Sequence, residues 1–334
     1  MKFIIVGCGS IGQRHLRNLV SLGIRDFVFC DTNEKRLKRV GEEFKINNLH
    51  TDYKEAISEN EDLDAAVVST PSSLHMPVGL YLAEKKINIF MEKPLSHNLV
   101  GIQDLGHHIQ TNDLIFMMGM CYRFNQMFIA LKELLSRNGI GKVFHVNYFG
   151  GHYLPEWHPN ADYREEYSAR KDLGGGVIFT SIHGLDNIRW LFGEVEELSC
   201  FHDKVSKLEI DTEDYVTADL KLKNGQYVHF STDFLSRSPQ HRMFITGERG
   251  NIELDFIEDI MKVFSSDTGS WKDTTFEFDV NDMYLSEMKY FIECVAKHEK
   301  PKIDLSEGRK TLELALALKE SSEKRKFIRM ASNA

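Results

Sequence analysis

The sequence predicts an α/β protein with a doubly wound, parallel-sheet domain at the N-terminus and an α+β domain with an open, mostly antiparallel sheet after it. Residues 1–120 alternate short β-branched runs with amphipathic stretches, the pattern of repeated βα units. After residue 121, segments alternate apolar and polar residues, which is typical of strands with one solvated face. A length of 334 residues suits two domains. We therefore expect domains at 1–120 and 121–334.

The expected strands of the first domain are almost continuously apolar, as a sheet covered on both faces requires. They lie at 3–6, 27–30, 65–69, 88–91 and 114–118. Amphipathic periodicity places helices between them, at 11–22, 34–44, 76–85 and 98–110. This alternation predicts a parallel sheet with helices on both faces.

The second domain begins with an expected helix at 127–137, followed by strands that alternate in polarity. These strands lie at 143–148, 215–222, 226–233, 243–246, 251–254 and 261–264. Asn224-Gly225 joins two of them and is a strong hairpin signal. Helices at 284–297 and 306–324 close the chain. An open, mostly antiparallel sheet follows from this order.

Composition narrows the possible partners. With 41 basic and 50 acidic side chains the formal charge is -9, so no broad positive surface is expected for nucleic acid or anionic lipid. No apolar run approaches the roughly 20 residues of a membrane helix. The five cysteines are odd in number and far apart, which gives neither a disulfide framework nor a metal pair. We expect a cytoplasmic protein without bound metal, nucleic acid or membrane.

A glycine-rich turn follows the first expected strand and opens the first helix. It consists of Gly7, Cys8, Gly9, Ser10, Ile11 and Gly12. Asp31 ends the second strand, where a carboxylate can accept hydrogen bonds from an adenosine ribose. Together they predict a nicotinamide or flavin dinucleotide, the alternative being a purely structural turn. The Asp31 charge favours NAD over NADP, although Lys35 and Arg36 keep NADP in reserve.

Two further segments lie at carboxyl ends of parallel strands, where such sheets bind ligands. Thr70-Pro71, with His75 after it, follows one strand, and Glu92-Lys93-Pro94 follows the next. An isolated lysine in a turn is more often a solvated side chain. In the second domain a glycine triplet at 174–176 precedes His183 and Asp186. Histidine suits proton transfer near neutral pH, and Asp186 could orient the His183 ring. The alternative is a core histidine whose hydrogen bonds are all made within the protein.

Taken together, these motifs resemble the glucose-fructose oxidoreductase / inositol dehydrogenase (Gfo/Idh/MocA) family, over residues 1–193 by motif and beyond by architecture. The resemblance implies a Rossmann domain, an open sheet that mediates oligomers, and NAD(P)-linked oxidation or reduction of a sugar or cyclitol carbon. It also implies that Lys93 contacts the reacting hydroxyl and the nicotinamide ribose, with a cis bond to Pro94. Glu92 would help to hold the ribose, and His183 would be the general acid/base.

The chain departs from the family pattern at one position. Family members commonly carry an aspartate four residues before the histidine, whereas here Thr180 follows the glycine triplet and lies three residues before His183. A threonine cannot act as a carboxylate, which reduces the expected catalytic set to Lys93 and His183. The expected cofactor contacts are Gly7, Gly9, Ser10, Ile11, Gly12, Asp31, Thr70, Pro71, His75, Glu92 and Lys93.

Substrate residues are expected in a loop at 151–164, whose aromatic and polar side chains suit a sugar. The loop resembles that of family members acting on bacterial surface-sugar precursors; a structural surface loop is the alternative. Arg123, after the last strand, could pair with a substrate carboxylate or phosphate. The expected substrate contacts are Lys93, Tyr122, Arg123, Tyr153, Trp157, Thr180 and His183. Arg237, His241 and Arg242 add basic groups that the sequence does not place.

These observations favour an NAD-dependent oxidoreductase acting on a CH–OH group of a sugar, amino sugar or cyclitol. One alternative is a catalytically silent dinucleotide-binding regulatory or scaffold protein, in which loss of the aspartate reports loss of catalysis. Another is an eliminating enzyme that uses NAD transiently. A homo-oligomer, dimer or tetramer, is expected through the C-terminal sheet.

Overall fold

The computed structural model describes residues 1–157, 162–277 and 279–331, which form two compact units. The first unit comprises Met1–Phe124 and Val280–Leu312, and the second comprises Asn125–Asp279 and Glu313–Ala334. The expected boundary after residue 120 lies close to the observed one. Residues 280–312, however, belong to the first unit rather than to the C-terminal domain.

The N-terminal part of the first unit alternates strands and helices. Its strands are β1 (Lys2–Val6), β2 (Asp26–Cys30), β3 (Leu49–His50), β4 (Ala65–Val68), β5 (Asn88–Glu92) and β6 (Phe116–Gly119). Its helices are α1 (Ser10–Ser21), α2 (Glu34–Phe44), α3 (Tyr53–Ser58), α4 (His75–Glu84) and α5 (Ile102–Thr111). The sequence missed only β3 and α3, which are too short to show a period.

The six strands form one sheet in the order β3-β2-β1-β4-β5-β6, and every neighbouring pair is parallel. Four residues of β4, Ala65 to Val68, are all fully buried, as expected for a sheet covered on both faces. The strand order reverses between β1 and β4, and ligands of such sheets bind outside the carboxyl ends at this point. The loops after β1, β4 and β5 therefore meet at the binding edge.

The second unit begins with α6 (Gln126–Ser136) and contains a large sheet. Its further elements are β7 (Val143–Gly151), α7 (Val177–Thr180), α8 (Ile182–Phe192), β8 (Val195–Asp203), β9 (Tyr215–Leu222), β10 (Tyr227–Asp233), β11 (Gln240–Gly247), β12 (Gly250–Asp255), β13 (Ile260–Ser265) and β14 (Ser270–Thr275). The chain ends with α9 (Val280–Lys297), α10 (Leu305–Lys324) and β15 (Ile328–Arg329).

The sheet of the second unit has nine strands in the order β14-β13-β12-β11-β7-β10-β9-β8-β15. Its pairs are antiparallel except β7 with β10, which run parallel. Alternate residues of β9 and β10 are buried, so one face carries the core and the other is open. The predicted open, mostly antiparallel sheet is confirmed; β8, β14 and β15 were not predicted.

Packing explains why α9 belongs to the first unit. Phe291 of α9 meets Phe3 of β1 and Phe90 of β5, with ring centroids 6.3 and 5.6 Å apart. The backbone N–H of Met118 donates to the carbonyl of Ile303 at 2.8 Å. Amphipathic periodicity marks such a helix but does not identify the sheet that it covers.

Candidate active site

The glycine turn after β1 needs each of its three glycines for a different reason. Gly7 has φ +96°, and a Cβ there would lie 2.6 Å from the Ser69 carbonyl oxygen. A Cβ on Gly12 would lie 2.0 Å from the Gly7 carbonyl oxygen. At Gly9, by contrast, a Cβ would meet nothing within 4 Å. The chain is closely packed on one side of the turn and open at Gly9, as the approach of a pyrophosphate to the backbone requires.

The start of α1 supplies hydrogen-bond donors at this open side. Ser10 is exposed and Ile11 is partly exposed, and the first N–H groups of a helix have no partner within the helix. Such a helix end stabilises negative charge. These residues fit the diphosphate of a dinucleotide.

Asp31, at the end of β2, is buried and braces the glycine turn. Its carboxylate accepts the Cys8 backbone N–H at 2.7 Å and the Asn33 backbone N–H at 2.8 Å. The Arg36 guanidinium contacts both carboxylate oxygens at 3.2 and 3.4 Å. Arg36 therefore already has an anionic partner, and a 2′-phosphate beside Asp31 would compete for it.

The loop after β4 presents Thr70 and Pro71 at the same edge. The Thr70 hydroxyl oxygen is buried and has no hydrogen-bond partner among the residues that the structure describes. A buried hydroxyl of this kind calls for a ligand or water, so the loop fits a dinucleotide as well. The ring nitrogens of His75 lie 2.7 Å from the Pro94 carbonyl and 2.9 Å from the Thr70 carbonyl. His75 thus joins the loops after β4 and β5.

Glu92 ends β5 and Lys93 follows it, with a cis peptide bond between Lys93 and Pro94. One carboxylate oxygen of Glu92 lies 2.6 Å from His15 Nε2, and the other accepts the Lys93 backbone N–H at 3.1 Å. Burial tends to raise the pKa of Glu92, but the hydrogen bond and charge of His15, with the charge of Lys93, hold it below its ordinary value. The carboxylate is therefore ionised at neutral pH.

Two of the expected substrate residues, Tyr122 and Arg123, follow β6 in the first unit. Burial raises the pKa of Tyr122 well above its ordinary value, which keeps the phenol neutral as a hydrogen-bonding group. The Arg123 side chain is 8% exposed and its guanidinium lies 2.9 Å from the Glu307 carboxylate. A substrate anion at Arg123 would therefore compete with an internal ion pair.

In the second unit, Thr180 ends α7 and His183 lies in the first turn of α8. Thr180 is buried and His183 is partly exposed. The two helices are separated at Ser181, whose hydroxyl lies 3.1 Å from that of Thr232 in β10. Asp186, considered as a partner for His183, has a carboxylate oxygen 4.0 Å from the Arg189 guanidinium.

The entry to α7 is held by a residue far away in the sequence. The carbonyl of Glu213 accepts the Val177 backbone N–H at 3.1 Å, and its carboxylate accepts that of Ile178 at 3.4 Å. Both carboxylate oxygens lie 2.9 Å from the Lys319 ammonium. A Cβ on Gly176 would lie 2.3 Å from this carboxylate. The glycine triplet therefore lets the Glu213–Lys319 ion pair, of which Glu213 is the buried partner, approach the start of α7.

The expected substrate loop follows β7, and its residues 158–161 lie outside the described part of the chain. Trp157 donates its indole N–H to the His152 carbonyl at 3.1 Å and packs edge-on against Phe234 at 5.3 Å. The Arg237 guanidinium lies 3.5 Å from the centre of the Tyr153 ring. Aromatic faces and polar groups are thus present together, as sugar binding requires.

Sequence reasoning did not single out His15, Glu213 or Lys319, although each contacts an expected site residue or the turn that carries one. His15 had a usable signal, because it follows Gly12 on the inward face of α1. Glu213 and Lys319 had none, since they come from a loop and a helix more than 100 residues apart in the chain.

A Rossmann sheet, a glycine turn open at Gly9 and a buried acidic residue after β2 define an NAD-binding protein. Comparison with known families agrees. Residues 1–120 match the oxidoreductase family with an NAD-binding Rossmann fold, and residues 128–253 match the GFO/IDH/MocA C-terminal domain. The chain belongs to the GFO/IDH/MocA family, so the resemblance inferred from its motifs is confirmed.

Individual relatives are distant but align over most of the chain. Myo-inositol 2-dehydrogenase of Thermotoga maritima is 26% identical, covering 99% of this chain and 98% of the relative. A 2,7-anhydro-N-acetylneuraminate hydratase of Mediterraneibacter gnavus is 24% identical, covering 77% and 67%. The structure of a levoglucosan dehydrogenase in complex with NADH has a TM-score of 0.88 at 16% identity, covering 99% of both chains. This last likeness shows the fold.

Within residues 1–157, 162–277 and 279–331, no helix is long and apolar enough to cross a membrane. No group of three or more His, Cys, Asp or Glu side chains in the same ranges is placed to hold a metal ion.

Proposed function

We propose that this protein catalyses NAD-dependent oxidation, or the reverse reduction, of a CH–OH group in a sugar or cyclitol. The observation that carries the proposal is the position of Lys93 after β5. This strand is two places from β1 in a parallel sheet, so Lys93 and the glycine turn share the binding edge. Names of relatives support the substrate class, because they include an inositol and an anhydro-sugar enzyme.

The cofactor residues follow from the fit described above. The glycine turn and the start of α1 would hold the diphosphate, and Asp31 would face the adenosine ribose. Thr70, Pro71 and the end of β5 would lie nearer the nicotinamide. NAD, when bound, supplies the hydride acceptor, and the protein supplies orientation and electrostatics. We keep NAD as the cofactor in preference to NADP because of the Asp31 charge.

Oxidation of a carbinol removes a hydride from carbon and a proton from oxygen. We propose that His183 takes the hydroxyl proton as general base and returns it in the reverse direction. The Lys93 ammonium stabilises the alkoxide charge that develops on the same oxygen. Thr180, near the position where the family resemblance implies an aspartate, donates or accepts a hydrogen bond but does not add a charge. Tyr153 and Trp157 contribute contacts to the sugar ring.

An alternative is elimination or hydration with transient use of NAD. It is favoured by the likeness to the anhydro-sugar hydratase, which covers 77% of this chain. In that reaction the cofactor is regenerated in each cycle, so product forms without net NADH. Lys93 and His183 would keep their proton-transfer and charge-stabilising roles, which is why residue identity alone does not separate the two reactions.

We also propose a homo-oligomer, dimer or tetramer, that buries the open face of the nine-stranded sheet. Its strands expose the large apolar side chains Phe144, Tyr227, Phe244 and Trp271, and exposed apolar side chains gathered on one face favour an interface. A monomer in analytical ultracentrifugation at micromolar concentration would contradict this. The five cysteines are buried and none of them forms a disulfide, which supports our inference of a reducing, cytoplasmic location.

The test of the function is a screen of cyclitols, sugars and anhydro sugars with NAD, in which both NADH absorbance and product are measured. We expect one compound class to give NADH. Lys93→Ala and His183→Ala should each lower kcat by about a hundredfold or more, while NAD binding to His183→Ala stays unchanged. His107→Ala, on the exposed side of α5, is the matched control.

Three other results would be informative. Product without NADH would favour the eliminating enzyme. Tight NAD binding without any product across the panel would favour the regulatory or scaffold protein. Wild-type turnover in both the Lys93 and His183 variants would contradict the proposed catalytic pair.

A further inference from the structure

His15 is a fully buried histidine that the proposed chemistry does not use. It lies on α1, three residues after Gly12. Its ring packs edge-on against Phe90 of β5 and Tyr284 of α9, with centroids 4.9 and 6.1 Å away. The Arg14 guanidinium lies over the Tyr284 ring, 4.6 Å from its centre. The imidazole is therefore held in one place by aromatic side chains.

The polar contact of His15 is with Glu92. His15 Nε2 lies 2.6 Å from Glu92 Oε1, and the two side chains are 0% and 10% exposed. The ionised Glu92 carboxylate can only accept, so His15 Nε2–H is the donor. Within the described ranges, Nδ1 of His15 has no hydrogen-bond partner. The position of this ring is thus fixed by packing and by one charge-assisted bond.

The second oxygen of Glu92 continues the connection. Oε2 accepts the backbone N–H of Lys93 at 3.1 Å. A line of contacts therefore runs from α1, whose first turn borders the glycine turn, through His15 and Glu92 to the backbone of Lys93. Each member of this line is buried or partly buried, so water does not readily replace a missing partner.

We propose that His15 is a positioning residue for Lys93: it fixes the Glu92 carboxylate, which in turn fixes the backbone from which the Lys93 side chain extends. The resemblance gave Glu92 a contact to the cofactor ribose. The geometry instead engages both of its carboxylate oxygens inside the protein. This inference rests on the proposed function only for the effect on turnover, since the effect on Lys93 itself exists without substrate.

Simple core packing is the competing explanation. His15 lies among aromatic side chains, and a leucine of similar volume would preserve apolar contacts while removing the donor to Glu92. A glutamine would keep a donor near the position of Nε2. The two substitutions therefore separate packing from positioning, and His107→Leu on α5 gives a matched control at an exposed histidine.

We expect His15→Leu to lower kcat at least about tenfold, because a small misplacement of a reacting group is costly. KM for the substrate and Kd for NAD should change less than about threefold, since the glycine turn and Asp31 are intact. His15→Gln should restore kcat to within about threefold of wild type. His107→Leu should match wild type. If His15→Leu does not fold, His15→Asn, whose amide is too short to reach Glu92, replaces it.

The direct readout is the reactivity of Lys93. Brief acetylation with acetic anhydride, without substrate, is quantified at Lys93 by peptide mass spectrometry relative to exposed Lys223. We expect His15→Leu to raise relative labelling at Lys93 by at least about threefold, because its backbone is less confined, and His15→Gln to leave it unchanged. Glu92→Gln should abolish most of the difference between His15→Leu and its parent, since both act through one contact.

Unchanged Lys93 labelling in His15→Leu would overturn the inference, as would equal turnover in the leucine and glutamine variants or additive effects of the His15 and Glu92 substitutions. If no compound is oxidised by the wild type, the proposed function fails, and the labelling experiment still decides the inference. A change in labelling then supports the positioning role of His15 for Lys93 in whatever reaction the lysine serves.

Discussion

The two units hold their candidate site residues by different means. In the first unit, backbone contacts hold the glycine turn: Gly12 packs against the Gly7 carbonyl, and Asp31 accepts the Cys8 backbone N–H. In the second unit, side chains from distant segments hold the helix that leads to His183. The start of α7 depends on the Glu213 carboxylate, and Glu213 depends on Lys319. One site is built from neighbouring loops of a regular sheet and the other from long-range contacts.

The difference has a consequence for tolerance to substitution. A backbone-built turn fails when a Cβ is added at a closely packed glycine, whatever the side chain. A side-chain-built turn fails when either partner of an ion pair is removed, and it recovers in part when both are replaced. Substitutions in the two units can therefore test the comparison directly.

The largest effect is expected for Gly12→Ala. A Cβ there would lie 2.0 Å from the Gly7 carbonyl oxygen, and backbone cannot rotate away as a side chain can. We expect a loss of about 3 kcal/mol or more in the free energy of unfolding, measured by urea denaturation, together with loss of NAD binding. The clash acts within the turn itself, so a second substitution in a side chain should not rescue it.

Gly9→Ala is the control, because the added Cβ meets nothing within 4 Å. Its free energy of unfolding should stay within about 0.5 kcal/mol of wild type. Its Kd for NAD should nevertheless rise at least about tenfold, since the methyl group would occupy the side on which the diphosphate approaches. Normal NAD binding by Gly9→Ala would show that the open side of the turn is not the binding side.

The same difference explains what the sequence could and could not predict. The sequence predicts the parallel sheet and the glycine turn because both depend on short motifs and on strand order. The same signals predict that Asp31 and Lys93 follow strands. The cis Lys93–Pro94 bond agrees with the family resemblance. Placement of α9 on the first unit depends on packing of Phe291 against two strands. Hydrophobic periodicity predicts that a helix has an apolar face, but it does not predict which element packs against that face.

Less of the second unit can be predicted from the sequence, because its local structure depends on contacts between distant residues. The break between α7 and α8 at Ser181 coincides with a hydroxyl contact to Thr232 in β10. No local signal in the sequence marks a contact between residues so far apart. The contact between Arg123 and Glu307 could not be predicted either. An arginine that follows a strand suggests a ligand contact as long as its partner within the protein is unknown.

Lys319→Met should have the next largest effect. It leaves the Glu213 carboxylate, which is 8% exposed, without its cation, while Lys319 itself is 21% exposed. We expect a loss of roughly 2 to 3 kcal/mol in the free energy of unfolding, measured by urea denaturation. Turnover should fall because α7 and the first turn of α8 are less well held, and Kd for NAD should not change.

The double variant Glu213→Gln with Lys319→Met is the control for this prediction. It removes the uncompensated charge and keeps an acceptor for the Ile178 N–H, so it should recover a large part of the lost stability. If Lys319→Met alone were as stable as wild type, the ion pair would not hold the entry to α7. That result would contradict the claim that long-range side-chain contacts hold the site residues of the second unit.

Two histidines, the buried His75 and the partly buried His241, extend the comparison to pH. His75 in the first unit faces two backbone carbonyls, whereas His241 in the second lies 2.8 Å from the Tyr148 hydroxyl. Burial lowers the pKa of His75, and it lowers the pKa of His241 to about 4, against an opposing effect of Asp255. Both rings are therefore neutral in the folded protein at neutral pH.

The sign of the pH effect follows from the His241 value. Because its folded pKa of about 4 lies below the ordinary 6.5, the unfolded chain binds more protons between these two values. Stability from this group is complete above pH 6.5 and is lost as pH falls towards 4. Between pH 8 and pH 5 the expected loss is about 2 kcal/mol.

His241→Gln should remove this component, which makes it the smallest of the three effects. The variant keeps a polar contact to Tyr148 and cannot be protonated, so its stability should fall about 2 kcal/mol less than that of wild type between pH 8 and pH 5. His75 contributes equally to both proteins and cancels in the difference, which urea denaturation at the two pH values measures. His107→Gln, at an exposed position, should behave as wild type. Equal acid slopes in wild type and His241→Gln would mean that burial does not keep His241 neutral, because a ring that protonates freely in the folded state leaves no pH-dependent difference in stability.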